Sequence, residues 1–179
     1  PLNEAVPRGT GAGQEIFVYF STAETAYAPL VDALCGFDLP VRAYLPGASP
    51  ELLDRLRRAG VMVETAPVPV ELIAQRSRLM LNAGQHGSLC MGLGLGIPQL
   101  TFPQHLEHLY HARRAQDLGV AEIVPYQSWE AGQIITLTRE MYFDLDRAAR
   151  SRALAESLYP DLFGDTARLV RDRVEPLLA

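Results

Sequence analysis

Gly84-Gln85-His86-Gly87-Ser88 is the segment with the most chemistry to offer. It follows the apolar run Leu79-Met80-Leu81, which is too short for a buried helix and suits a parallel strand. Beyond it, Ser88 to Gly96 reads as a short helix that closes at Gly96, ahead of Pro98. A strand that delivers a glycine-containing turn onto a helix N-terminus gathers unpaired N–H donors at the positive end of the helix dipole. Both features favour phosphate. An unliganded strand–helix corner accounts equally well for a single Gly-x-x-Gly segment.

The four histidines, His86, His105, His108 and His111, fall in or just after this segment. His108 and His111 sit one helical turn apart, but two ligands do not complete a zinc site, so no metal is expected. Ser88 with His86 lacks the strand–elbow–helix pattern of a nucleophilic serine. Anion binding and a plain strand–helix corner are the two readings that this stretch leaves.

Positioning such a turn takes alternating strands and helices. Strands are expected near residues 16–20, 41–45, 61–63, 79–81, 99–102 and 120–124. Between them, Ser49-Pro50 is a cap-and-first-turn signal for a helix through Ala59, and residues 106–118 give another helix. Pro67 and Pro69 stiffen an irregular loop that positions Val68 and Val70. Ser128 is a candidate cap for a helix after the last strand, and residues 147–158 predict a further helix ended by a connector at 159–164. The only tryptophan, Trp129, is expected to pack rather than to stack on a ligand. The fold class that buries such a pattern is α/β, a Rossmann-like three-layer domain with a mostly parallel sheet. Ligands in such folds collect beyond the carboxyl ends of the strands, here at Ser21-Thr22, at residues 82–88 and at residues 104–108.

At 179 residues with 48% hydrophobic content, the chain supports one sizeable core and not two large domains. A net charge of -5 argues against nucleic acid or an anionic membrane as a partner. Two cysteines, Cys35 and Cys90, lie among apolar residues and make no disulfide framework. No signal peptide or membrane span is read, and a cytoplasmic location is expected. Residues 1–14 predict a tail or interdomain linker, and residues 15–179 the folded domain.

A wider set of residues adds a resemblance. Gly84-Gln85-His86-Gly87-Ser88, Gly96-Ile97-Pro98-Gln99-Leu100, Pro103, Glu107-His108, Ala112 and Leu118-Gly119 resemble the donor-binding signature of nucleotide-sugar-dependent glycosyltransferases. More narrowly, they resemble the bacterial macrolide and antibiotic glycosyltransferases of the superfamily that includes the UDP-glucuronosyltransferases. Three positions depart from that pattern. Ala83 stands where the family has a histidine close to the donor diphosphate, Gln85 where it has its second glycine, and His108 where it has a glutamine.

The resemblance implies one half of a GT-B fold, the domain that binds the nucleotide sugar. It implies that Ser21, Thr22, Gly84, Gln85, His86, Gly87 and Ser88 surround the diphosphate, that Val68 and Val70 lie at the nucleobase, and that Glu107 and His108 meet the donor sugar. The implied reaction moves a sugar from a nucleoside diphosphate (UDP or dTDP) to the hydroxyl of a small-molecule acceptor, with inversion and without a cofactor. The acceptor and the general base belong, in the family, to an N-terminal domain that this chain is not expected to contain. The isolated chain is therefore expected to be inactive in transfer. A noncatalytic nucleotide-binding or interaction domain derived from the same fold is the alternative.

Overall fold

The computed structural model describes residues 13–21, 25–125, 129–163 and 165–177. Six strands form one sheet: β1 (Glu15–Tyr19), β2 (Val41–Tyr44), β3 (Met62–Glu64), β4 (Ser77–Asn82), β5 (Gln99–Thr101) and β6 (Ala121–Ile123). Their order is β3-β2-β1-β4-β5-β6, and every pairing is parallel. Parallel pairing needs crossovers, and helices supply them: α1 (Ala28–Gly36), α2 (Pro50–Arg58), α3 (Val70–Arg76), α4 (His86–Leu95) and α5 (Leu106–Asp117). Three more follow the sheet: α6 (Ala131–Phe143), α7 (Leu145–Phe163) and α8 (Thr166–Val174). This is the expected Rossmann-like α/β domain. The strand order reverses direction between β1 and β4, which is where such sheets hold ligands.

The central strands are apolar because both sheet faces are covered. On one face Ile16, Val18, Leu79, Leu81 and Leu100 pack with Leu30 and Leu34 of α1, Leu56 of α2, and Ile134 and Met141 of α6. On the other, Phe17 and Met80 pack with Ile73 of α3 and Leu95 of α4. Burying a side chain of this size is worth about 1.5–3 kcal/mol, so the two layers account for the sheet's cohesion. Trp129 is buried, stands edge-on to Phe102 and Tyr27, and donates Nε1–H to the Val124 carbonyl at 3.1 Å, the packing role expected of it. Both edge strands, β3 and β6, are only three residues long.

The local signals hold with a few shifts. Ser49 Oγ accepts from the Leu52 N–H at 3.3 Å and caps α2, with Pro50 in its first turn. α4 begins at His86, two residues earlier than its expected start, and ends at Gly96, whose φ of 68° is the left-handed conformation that suits glycine. α7 runs through Phe163, so the segment expected as a connector is its last turns. The expected linker lies almost wholly outside the described residues, as do Thr22 and Ser128.

Candidate functional site

The turn between β4 and α4 is shaped by buried amides. Asn82, at the end of β4, is fully buried and accepts the Gly84 N–H on Oδ1 at 2.8 Å. Its Nδ2 donates to Gln99 Oε1 at 2.9 Å, and Gln99 Nε2 donates in turn to the Leu89 carbonyl at 3.1 Å. One relay thus ties the end of β4, the turn, the first turns of α4 and the start of β5. Gly92 leaves the room this relay needs, since a Cβ there would overlap the Gln99 amide.

Gly84 has φ of 82°, a conformation that glycine adopts without strain. It also lies against α5, where an added Cβ would come within 3.0 Å of the His108 carbonyl oxygen. The turn and the first turn of α5 are therefore in contact, and the expected diphosphate and sugar residues share one end of the sheet. His86 and His111 strengthen the junction with ring centroids 5.1 Å apart, and His111 Nε2 stands 3.9 Å from Glu107 Oε1. His108 packs edge-on to His105 at 5.2 Å. Cys90 Sγ lies 3.5 Å from His86 Nε2, and burial pushes the thiol's pKa up.

α4 carries no side-chain cap at Gln85 and no acidic residue in its first turn. Its N-terminal N–H groups and the positive end of its dipole are left for another acceptor. They open onto a groove of about 460 Å³ lined by Gln85, Gly87 and Ser88 on one side and by Pro67 and Val68 on the other. The floor is the sheet itself, with Phe17, Tyr19 and Tyr44. The two tyrosine rings stack at 5.9 Å and 17°. Ile73 and Met91 close the groove from the helices.

The structure thus brings Gln85, Gly87, Ser88 and Val68 onto one groove, with Gly84 behind them and Glu107 and His108 beside them. His86 turns toward His111 and Cys90. Val70, like Val68, is partly buried against the layer of Phe17, Ile73 and Met80, but it is not among the residues lining the groove. Ser21 is half-buried at the end of β1, with its carbonyl accepting from Thr25 Oγ1 at 3.4 Å. Tyr19, Tyr44 and Met91 were not anticipated. The odd positions of β1, at Phe17 and Tyr19, carried the only hint. Ala83, in place of the family histidine, is buried in the core with Phe20 and Phe102. Among the described groove-lining residues there is no arginine, lysine or histidine, so a diphosphate there would be met among them by backbone donors and hydroxyls.

The chain matches no protein-family model. It is 27% identical over 109 residues to the glycosyltransferase GtfC of Amycolatopsis orientalis, a match covering 60% of this chain and 26% of that protein. Among solved structures, glycosyltransferase VinC in complex with dTDP superposes with a TM-score of 0.72 at 18% identity over 89% of this chain and 41% of that one. The calicheamicin glycosyltransferase CalG4 gives 0.72 at 19%, over 99% and 45%. The spinosyn rhamnosyltransferase SpnG, complexed with thymidine diphosphate, gives 0.71 at 23%, over 95% and 48%. The chain spans less than half the length of each of these proteins. What this likeness establishes is the architecture: a Rossmann-like α/β domain with a parallel sheet, consistent with one half of a GT-B fold.

Proposed function

We propose that this domain is the donor-binding half of a glycosyltransferase that moves a sugar from a nucleoside diphosphate, UDP or dTDP, to a small-molecule hydroxyl with inversion. The observation that carries the reading is the groove joining the 67–68 loop to the open N-terminus of α4. Its length and chemistry suit a nucleotide laid from base to diphosphate. The base lies at Val68 over the tyrosine floor, and the diphosphate at the backbone of residues 84–88 and Ser88 Oγ. Glu107 and His108 reach the sugar from α5.

In the transfer step, charge grows on the leaving diphosphate as its bond to the sugar breaks. Fixed N–H dipoles at α4 stabilise that charge without reorganising. Glu107 accepts hydrogen bonds from sugar hydroxyls and sets the anomeric carbon toward the acceptor. The acceptor and its general base come from an N-terminal domain. Two relatives of the same fold, VinC and SpnG, have been captured with thymidine diphosphate, which supports this ligand class here. The cation-poor lining and the buried Ala83 favour a second reading, a noncatalytic nucleotide-binding domain on the same site.

Calorimetry with UDP, dTDP and their glucose conjugates tests binding, and a product assay with the adjoining N-terminal half supplied in trans separates the two readings. No saturable binding of any nucleotide would overturn both. Binding without product would leave the noncatalytic one.

A further inference from the structure

A second cavity, of about 240 Å³, lies at the opposite end of the sheet from the donor groove. It is lined by Ser77 and Arg78 at the start of β4, Leu95 to Pro98 between α4 and β5, and Leu145, Ala148 and Arg152 of α7. Ser77 and Asn82 bound β4, so the two sites are separated by roughly 17 Å at about 3.3 Å per residue.

Two cations converge on this cavity without a carboxylate for either. Arg78 is held in place: Nε donates to the Tyr142 carbonyl at 2.6 Å, and its guanidinium sits 5.0 Å from the Tyr142 ring centroid. Its remaining donors make no ion pair among the described residues. Arg152 makes none either. Its stem lies along Gly96, where an added Cβ would come within 3.0 Å of the Arg152 Cα and 3.4 Å of its Cγ. Arg42, Arg55, Arg57, Arg76, Arg114, Arg139, Arg147 and Arg168 pair with carboxylates, and of the arginines that do not, Arg78 and Arg152 are the ones that line this cavity. The first turn of α7 faces the same space, but its N-terminus is already capped by Asp144, whose Oδ1 accepts the Arg147 N–H at 2.8 Å, so the two arginines carry the positive charge here. Ser77, buried, supplies a polar wall, while Leu95, Ile97, Pro98 and Leu145 supply apolar ones.

The geometry points to a binding site for a small oxyanion with an apolar body, a carboxylate or a phosphate monoester, gripped between Arg78 and Arg152. Guanidinium forks match both oxyanions. The volume falls below the roughly 300–1,000 Å³ of pockets for larger ligands, which restricts the occupant to a single small ring or short chain. The site is independent of the donor groove, although α4 touches both: its N-terminus opens on the groove and its C-terminus walls the cavity.

Titration calorimetry of the full chain at low chloride, with benzoate, phenyl phosphate and inorganic phosphate, tests it. At least one of the two aromatic anions should bind saturably and more tightly than inorganic phosphate. Arg152→Gln should weaken that anion by about tenfold, the loss of one charge-assisted hydrogen bond. Arg78→Gln should do the same where its thermal midpoint shows it folded, and Arg152→Gln, which keeps most of the stem packed on Gly96, decides the matter if it does not. Arg113→Gln, which removes an exposed arginine elsewhere, should change affinity less than twofold. Absence of saturable binding by either aromatic anion would overturn the assignment. So would inorganic phosphate binding as tightly as they do, unchanged affinity in Arg152→Gln, or an equal loss in Arg113→Gln.

Discussion

Asn82 and Gln99, on neighbouring strands and both inaccessible to solvent, share a side-chain hydrogen bond of 2.9 Å, with Asn82 Nδ2 donating to Gln99 Oε1. Their other amide atoms hold the Gly84 N–H and the Leu89 carbonyl. Removing either side chain strands a partner in the core, where an unsatisfied polar group costs about 1–3 kcal/mol. Asn82→Leu and Gln99→Leu should each lower unfolding free energy by about 2–3 kcal/mol in urea titrations. The double variant should lose less than the sum, because the second substitution breaks a relay already broken.

Glycine substitutions should differ in sign by position. Gly92→Ala drives a methyl into the Gln99 amide and should cost about 1–3 kcal/mol. Gly132→Ala, in the first turn of α6 with nothing within 4 Å of the added carbon, should stabilise by up to about 1 kcal/mol through helix propensity. Thermal denaturation of the two variants side by side reads the contrast.

Arg42, buried on β2, donates Nε–H to Glu15 at 2.7 Å and also pairs with Glu64. Burial pushes the Glu15 carboxyl up, but the hydrogen bonds and charges of Arg42 and Arg76 outweigh it and hold its pKa below the ordinary value. A depressed carboxyl contributes stability that is complete above the unfolded value of about 4.3 and is lost as pH falls through the lower folded value. Arg42→Met should therefore destabilise at neutral pH, by about 3 kcal/mol, and show a shallower loss of stability below pH 4 than the unsubstituted chain. Equal slopes in acid would count against the ion pair as the cause.

In the donor groove, Ser88→Ala should weaken nucleoside diphosphate and nucleotide sugar alike, by about 1 kcal/mol. Glu107 is largely exposed, and His111 is its only ion-pair contact among the described residues, so Glu107→Ala should leave folding unchanged. It should weaken the sugar conjugate selectively. Equal losses for UDP and UDP-glucose in the Glu107 variant would remove that residue from the sugar site.

Placing an imidazole at position 83 is a different matter. Ala83 is 3% exposed and packs in the core layer, so Ala83→His must first displace apolar neighbours, at about 1–3 kcal/mol. The expected outcome is a lower thermal midpoint whether or not diphosphate affinity rises, read by calorimetry on the same sample.

Much of this was legible in the chain itself. Apolar runs bounded by glycine and proline located the central strands, and Gly84 and Gly96 marked the two ends of the α4 unit. What could not be read depended on neighbours far away in sequence. β1 is buried on both faces, so alternation does not tell that Tyr19 joins Tyr44 on a groove floor while Val18 enters the core. Gln99 belonged to a recognisable motif, yet its partners at Asn82 and Leu89 appear only when β4, α4 and β5 assemble. Val68 and Val70 look alike around Pro69. Both are partly buried against the same apolar layer, but α3 begins at Val70 and only Val68 also lines the groove. The start of α4 was misplaced because Gln85 caps it without a side-chain bond, the signal that a cap search relies on.

The brevity of β3 and β6 has a consequence for crowded or partly unfolded samples. A sheet margin with free ladder groups is a template on which another chain can add a strand. Here each margin offers three residues, and β3 includes Glu64, whose carboxylate is engaged by Arg42. The long apolar strands β1 and β4 lie innermost, where only unfolding exposes them. Self-association should therefore follow global unfolding rather than precede it, with light scattering rising only after the loss of near-ultraviolet dichroism on heating.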